Sequence, residues 1–380
     1  MKVIRQILKW IIGLLLLSLV LLYIFDATYI LKGIRVVYFT GHKTAFIDDF
    51  PYFDNRTIEN KTVQAWEEKE TAIKPTSRLQ DTYKEYGTIA YLIIKDGKIL
   101  YENYAEDYSK DSKTNSFSMA KSITSVLLFK AIQDGFIKSL DQPITDFHPD
   151  FKGEFANQTT VGDLASMASG LNWEEDYYSP FSMTAKAYYD ANISELIESL
   201  SIDEKPGESF EYLSGNTELL GMIITKAVGT SLSEYLSKSI WKPLGMRGTA
   251  YWQLDDVNSG MEKTYCCLAS NARDFAKVGK LLLQDGKWDG QQIIDTDLVK
   301  KAINPRFEDS PHYGYGFWLS DYKDKHIFSM RGILGQYVIS IPEDDLIIVR
   351  LGHKRDEEKV DAYPKDFYIY IDEAYQMLKT

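Results

Sequence analysis

The sequence predicts an α/β (α+β) fold: an antiparallel β-sheet flanked by helices, a mainly helical lobe, and an N-terminal transmembrane helix. Three observations carry this. Runs rich in β-branched and aromatic residues stand at both ends of the body, "TIAYLIIKDGKILYENY" near residue 90 and "YGYGFWL", "HIFSMRG", "QYVISIP" and "DLIIVRLG" after about 310. Between them, from about 120 to 260, the pattern is mostly helical and punctuated by turns such as "EKPGES" and "WKPLGM". Strands at both ends with helices inserted describe a sheet covered by helices plus a helical lobe. The third observation is an uncharged apolar run from Trp10 to Phe25, "WIIGLLLLSLVLLYIF".

That run spans ~24 Å as a helix, short of the ~30 Å hydrocarbon core. Ile4, Ile7, Leu8 and the "ATYIL" that follows Asp26 are expected to extend it, with Lys9 snorkelling. No small-residue cleavage site and no lipobox cysteine follows, which favours an uncleaved signal anchor over residues 10–30. Lys2, Arg5 and Lys9 make residues 1–9 the cytoplasmic side and set the rest outside, periplasmic or extracellular. Residues 31–85 read as a polar stalk or N-terminal packing segment, extended at first and then with one short helix at "VQAWEEKE". The body, 86–380, opens with two strand-like runs flanking Asp96-Gly97, a strong hairpin signal. Its sheet is expected from 86–117 and 261–380, its helical lobe from about 120–260. "KDFYIYIDEAYQMLK" closes the chain as an amphipathic helix.

Composition excludes several functions. The net charge of −12 over 380 residues argues against a nucleic-acid partner, whose phosphates call for a basic face. The part beyond residue 9 is more negative still, so no basic patch holds it flat on an anionic leaflet. Five histidines never stand three or four apart, and no Cys/His cluster occurs, so no metal and no organic cofactor is expected. Cys266 and Cys267 are neighbours; vicinal disulfides strain the intervening peptide, and two small buried residues are expected.

The candidate chemistry begins at "NSFSMAKSITSVLL". Ser-x-x-Lys occurs three times, at Ser118/Lys121, Ser239/Lys242 and Ser320/Lys323, about as often as chance allows. Only Ser118 heads a strong helical pattern, with Ile123, Val126, Leu127 and Phe129 spaced for burial. Residues i and i+3 share a helix face, so hydroxyl and amine can meet. A serine is a weak nucleophile until a neighbouring base takes its proton, and the helix N-terminus offers N–H groups for a developing oxyanion. By itself the serine reads equally as a helix cap. A second stretch, "SFEYLSGNTELLG", places Tyr212, Ser214 and Asn216 in a short loop before a helix. A tyrosine there either packs or shuttles the proton and activates water, and Asn216 would orient the lysine or hold a substrate amide.

Together "SMAKS", "ASMASGLNWEEDY", "FEYLSGNTELLG" and "SLSEYLSKSIWKPLGMRGT" resemble, in order, the serine hydrolases of the class C β-lactamase, D-alanyl-D-alanine carboxypeptidase and esterase family. The resemblance covers about residues 86–355, with a β-lactamase/transpeptidase-like fold. Within the family, "YLSGN" and "RGILGQYVISIPEDDLIIV" are most similar to amidases resembling 6-aminohexanoate-dimer hydrolase. It implies Ser118 as the acylated nucleophile, Lys121 as its activator and Tyr212 as general base and acid. The family's Lys/His-Ser/Thr-Gly motif aligns with Met330-Arg331-Gly332, keeping only the glycine. The backbone N–H groups of Ser118 and Ile333 would then form the oxyanion hole, and Gly332 would let the substrate backbone approach.

Met330 cannot bind a substrate carboxylate as the family's Lys or His does, so β-lactams and D-Ala-D-Ala ends become less suitable substrates. Arg331 should point to the opposite strand face, and His326 reads as an exposed or packed strand histidine. The loop "NWEEDYYSP" (172–180) is either plain surface or a pocket rim in which Tyr177 or Tyr178 touches substrate. The expectation is a membrane-anchored serine hydrolase of a small-molecule or short-peptide amide or ester. The alternatives are a cell-wall D-amino-acid peptidase or weak β-lactamase, and a non-catalytic penicillin-binding-like receptor.

Overall fold

In the computed structural model, which describes residues 1–105 and 107–379, the hairpin at Asp96-Gly97 organises the main sheet. β1 (Thr88–Lys95) and β2 (Lys98–Tyr104) pair antiparallel with Lys95 opposite Lys98. Asp96 and Gly97 both take positive φ, 49° and 73°, as a two-residue primed turn demands. The chain returns after residue 310 as β3 (Trp318–Tyr322), β4 (Lys325–Gly332), β5 (Gln336–Ile341) and β6 (Leu346–Gly352). The order across the sheet is β3-β4-β5-β6-β1-β2, with Glu67–Glu68 parallel to β2 on the outer edge. The first and last parts of the body thus meet at the β6–β1 ladder.

Two apolar layers cover this sheet. Ala90, Leu92 and Ile94 of β1 face the larger core, while Tyr91 and Ile93 face a second one. This double burial is why the strand reads as a continuous apolar run rather than an alternation.

Helix α1 (Lys2–Ile24) is apolar and carries no residue buried in the protein. Its 23 residues are long enough to cross a membrane, at ~34 Å. The helix stops before the expected limit. Asp26 takes φ 51° and the chain restarts as α2 (Tyr29–Val37), so "ATYIL" packs on the body instead of lengthening the span. Behind it, α3 (Met119–Gln133), α4 (Met183–Tyr189) and α5 (Ser214–Val228) form the centre of the helical lobe. α6 (Ala272–Leu283) covers the sheet on the lobe side, approaching closely at Gly279, where a Cβ would lie 2.9 Å from Ser340 Oγ. α7 (Lys365–Met377) and the helix Ser77–Glu85 cover the other face.

Residues 31–85 are integral to the body. Asn55–Ile58 forms the edge of a second sheet, pairing with Ala250–Gln253, then Leu268–Ser270, then Thr114–Asn115. Ile47, Asp49, Ile58 and Leu79 are wholly buried. The helix expected at "VQAWEEKE" is not formed. Trp66 is buried with its indole N–H donating to Arg273 O, and Glu68 pairs with the Arg273 guanidinium at 2.8 Å. These long-range partners, with the pairing on β2, override a weak local helical preference. The helix comes later, at Ser77, where Thr76 caps it by accepting from Leu79 N at 3.0 Å.

Candidate active site

The turn before Ser118 is held from below by residues distant in sequence. The Asn115 side-chain amide donates to Asp49 Oδ1 (2.9 Å) and Tyr188 OH (3.1 Å), and its carbonyl accepts from Phe117 N (2.9 Å). Phe117 takes φ 46°, the left-handed region that an aromatic residue rarely enters unless its surroundings impose it. Asp49 is fully buried, and burial pushes its carboxyl up to about 6. This brace turns the chain sharply into α3 with Ser118 at its head.

Ser118 occupies the N-cap position, yet its side chain makes no capping hydrogen bond, so its oxygen is available. One turn on, Lys121 is 2% exposed and its Nζ donates to Ser118 Oγ at 3.2 Å and to Tyr265 O at 2.8 Å. The ammonium also lies 5.1 Å from the Tyr212 ring centre and 5.5 Å from that of Tyr265. The i, i+3 geometry, the burial and the two aromatic faces together aim this amine at the serine. The other two Ser-x-x-Lys pairs are used elsewhere. Ser239 donates to Tyr235 O, Ser320 meets Tyr368, and Lys323 pairs with Asp372.

The acceptor for Lys121 is presented by the segment 263–267. Thr264 N and Oγ1 both donate to Glu218 Oε2 of α5, at 2.7 and 2.8 Å, and Thr264 O accepts from Thr124 of α3. Glu218 is fully buried, and desolvation pushes its carboxyl up to about 8, which favours the neutral form. Immediately after Tyr265, Cys266 and Cys267 are joined by a vicinal disulfide, where two separate small side chains are the expectation from sequence. Cys267 takes φ 71°, and Trp252 Nε1 donates to both Lys263 O and Cys266 O. The tight turn, closed by tertiary packing around Trp252, brings the two sulfurs together.

The end of β4 lies against the same turn. A Cβ on Gly332 would sit 2.3 Å from Ser116 O, so the glycine is needed for the close approach of the protein's own backbone. Ile333 follows at the strand end, and Leu334 takes φ 62°. Met330 is buried in the larger core. Arg331 faces the other way, as alternation requires, stacked 4.1 Å from the Trp318 ring centre and 4.5 Å from that of Tyr363. His326 is a packed strand histidine bonded to Ile303 O and Asp321.

Tyr212 stands in an aromatic wall that sequence reading missed. Its ring packs at 5.2 Å on Trp318 and 6.1 Å on Tyr313, and Phe210 and His312 complete the cluster. Burial, then the Arg331 charge, holds His312 below the usual histidine range. The only linear signal was the aromatic density of "PHYGYGFW", which alternation reads as a strand. The rim loop is represented by Glu175 first. Its carboxylate accepts from Ser214 N (2.6 Å), Ser214 Oγ (2.7 Å), Trp173 Nε1 (2.7 Å) and the Tyr177 hydroxyl. Tyr177 gives its hydroxyl to this carboxylate and remains 48% exposed, whereas Tyr178 points to solvent and is 97% exposed. Asn216 is sealed from solvent, its carbonyl bonded to Ser169 and its amide nitrogen to Met167 Sδ. Among the described residues no group of three His, Cys, Asp or Glu side chains could hold a metal.

A sheet packed between two helical layers, with a serine and a lysine one turn apart at the head of a buried helix, defines a class of serine hydrolase. Residues 77–370 match the Beta-lactamase family, and the chain belongs to that family. It is 25% identical over 296 residues to the 6-aminohexanoate-dimer hydrolase of Paenarthrobacter ureafaciens, covering 72% of this chain and 74% of that one. A Staphylococcus aureus protein, flp, is 31% identical over 173 residues, 43% of this chain but 34% of its own length. Among solved structures, a Bacillus anthracis protein provisionally assigned as a 6-aminohexanoate-dimer hydrolase superposes with a TM-score of 0.73, at 21% identity over 87% of this chain and 91% of its own. The D-amino acid amidase of Ochrobactrum anthropi SV3 superposes with a TM-score of 0.61, at 20% identity over 80% and 97%.

Proposed function

We propose that this protein is a membrane-anchored hydrolase, its catalytic domain outside the membrane, that cleaves an amide or ester through an acyl-enzyme on Ser118. The observation that carries the reading is the Lys121 ammonium, buried and donating to Ser118 Oγ at 3.2 Å. In acylation, Ser118 Oγ attacks the substrate carbonyl carbon while Tyr212, acting as the phenolate next to the Lys121 ammonium, receives the hydroxyl proton. Lys121 stabilises the oxygen as it gains negative charge. The N–H groups of Ser118 and Ile333 receive the carbonyl oxygen as it becomes an oxyanion. Tyr212 passes its proton to the leaving amine or alcohol, the carbon–heteroatom bond breaks, and the acyl group stays on Ser118. Water then attacks the acyl carbon, Tyr212 takes its proton, and the acid leaves with Ser118 re-protonated.

Met330, buried in the core, supplies no cation for a carboxylate, which favours neutral amides or esters over β-lactams. The resemblance to a 6-aminohexanoate-dimer hydrolase supports an amide as the bond cleaved. α1, with its apolar surface outside the protein, supports the anchor. The test is the intact mass of the full chain after treatment with a fluorophosphonate, beside Ser118→Ala. One adduct on the wild type and none on the variant is expected. No adduct on either protein would favour the non-catalytic receptor reading, and an adduct on both would place the nucleophile elsewhere.

A further inference from the structure

The chain leaves α1 and turns into α2, a short amphipathic helix whose outer side still carries large apolar residues. Its inner side, Tyr29, Val36 and Val37, is buried against the body, and Gly33 lets the Tyr189 ring of α4 approach closely. Its outer side carries Leu31, Ile34 and Tyr38, one helical face by their spacing, with Arg35 among them and Phe39 following, and all five are exposed. An outer side of aliphatic and aromatic residues with one arginine suits the membrane interface, where the arginine reaches the headgroups. Tyr23 and Phe25, at the end of α1, are 80% and 74% exposed and begin the same apolar surface.

The surface continues onto the rim of the candidate active site. Tyr29 OH donates to Pro180 O at 3.1 Å, and Asp26 pairs with Lys186 of α4. Between these two ties the rim loop exposes Phe181, and Tyr178 stands just before them. Pro180 is five residues from Glu175, whose carboxylate receives Ser214 N beside Tyr212. Five residues reach at most ~17 Å. The root of the apolar helix and the edge of the catalytic cleft are therefore fastened to each other.

We infer that the outer side of α2 and the Tyr178–Phe181 rim lie in the headgroup layer of the bilayer that α1 crosses, setting the cleft at the leaflet surface to take amphiphilic amides or esters whose apolar tails stay in the lipid. The substrate class rests on the hydrolase reading above, and the docking on the membrane anchor proposed with it. Continuity with α1 selects lipid as the occupant. Aromatic rings suit the interface, where one end is apolar and the other wet. The flanking charges, Asp26, Arg35, Lys43 and Asp176, are of mixed sign, so the contact is apolar and does not require anionic lipid.

The test uses the full chain reconstituted in phosphatidylcholine vesicles, with a nitroxide on Leu31→Cys, Phe181→Cys or, beyond the sheet, Gln80→Cys. Cys266 and Cys267, buried and paired, do not compete for the label. Collision with oxygen and with a water-soluble nickel complex reads depth. Labels at 31 and 181 should sit at headgroup depth and the label at 80 in water, unchanged when phosphatidylglycerol is added. Equal nickel access at all three positions would overturn the docking. So would shielding from both reagents that grows with protein density, since a second copy would then cover the face.

For the substrate class, Ile34→Glu should lower kcat/KM roughly tenfold on a long-chain ester held in the vesicle and leave a short soluble ester unaffected. Equal loss on both esters would overturn that part. Absence of a fluorophosphonate adduct would remove the hydrolase reading while leaving the depth result intact.

Discussion

Gly332 shows how one residue couples the sheet to the candidate nucleophile. Its φ of −126° is ordinary extended backbone, so the requirement is space and not conformation. A methyl group there would meet Ser116 O, two residues before Ser118, at 2.3 Å. Gly332→Ala should push β4 away from the turn, cost ~1–3 kcal/mol of stability and lower kcat/KM at least ~10-fold. Chemical denaturation and steady-state kinetics check this; an Ala variant with unaltered kinetics would show that β4 does not help to form the oxyanion site. The residue was legible in the sequence as the surviving position of a motif, but its partner was not. Substrate was the expected neighbour, and the protein's own Ser116 is the observed one. Asn216 illustrates the same limit. A polar residue beside a candidate base suggests a substrate contact, yet the turn into α5 aims its amide at Ser169 and Met167.

At the scale of elements, the segment 263–267 matters because α3 and α5 meet through it. It accepts from Lys121 and Thr124 on one side and donates to Glu218 on the other. The vicinal disulfide fixes the end of this segment next to the carbonyl that holds Lys121. Replacing both cysteines, Cys266→Ser with Cys267→Ser, should loosen that carbonyl and lower kcat several-fold with little change in KM, because the contact altered is the one that positions Lys121. Kinetics of the double variant beside the oxidised wild type check the split, and an equal rise in KM would mean that the segment shapes the binding wall as well. Helices and strands of this body follow from periodicity where burial is local and repeated, as in β1 and α3. "VQAWEEKE" escaped that logic because its fate is set by Arg273 and the β2 edge, both far along the chain.

For the whole molecule, buried ionisable groups join the N-terminal segment, the lobe and the sheet. Glu218 is the clearest case, with a folded pKa of about 8 against an ordinary 4.5 and burial as the cause. The raised value means that its stabilising contribution is complete below about 4.5 and is lost as pH rises through 8. Glu218→Gln should therefore melt progressively higher relative to wild type as pH goes from 5 to 9. Thermal melts of the two proteins across that range measure it, and a constant difference would mean that the folded pKa of Glu218 is not raised and the group is ionised in both states there.

Sequence alone determined the class of fold, the apolar N-terminal helix, and the Ser118/Lys121 and Tyr212 stretches, because each of these is written in residues that are neighbours along the chain. A helix face repeats every three or four residues, a hairpin needs two turn residues, and a membrane span needs only uninterrupted apolarity. Tertiary structure alone decided that Asp49 braces the turn before Ser118, that Tyr265 O holds Lys121, that Trp318 and Tyr313 pack on the Tyr212 ring, and that Pro180 is tied to Tyr29 at the root of α1. Those contacts join residues 66 to 151 or more positions apart, with Lys121 and Tyr265 separated by 144. Their formation depends on the packing of a whole core around them, and no local periodicity encodes that.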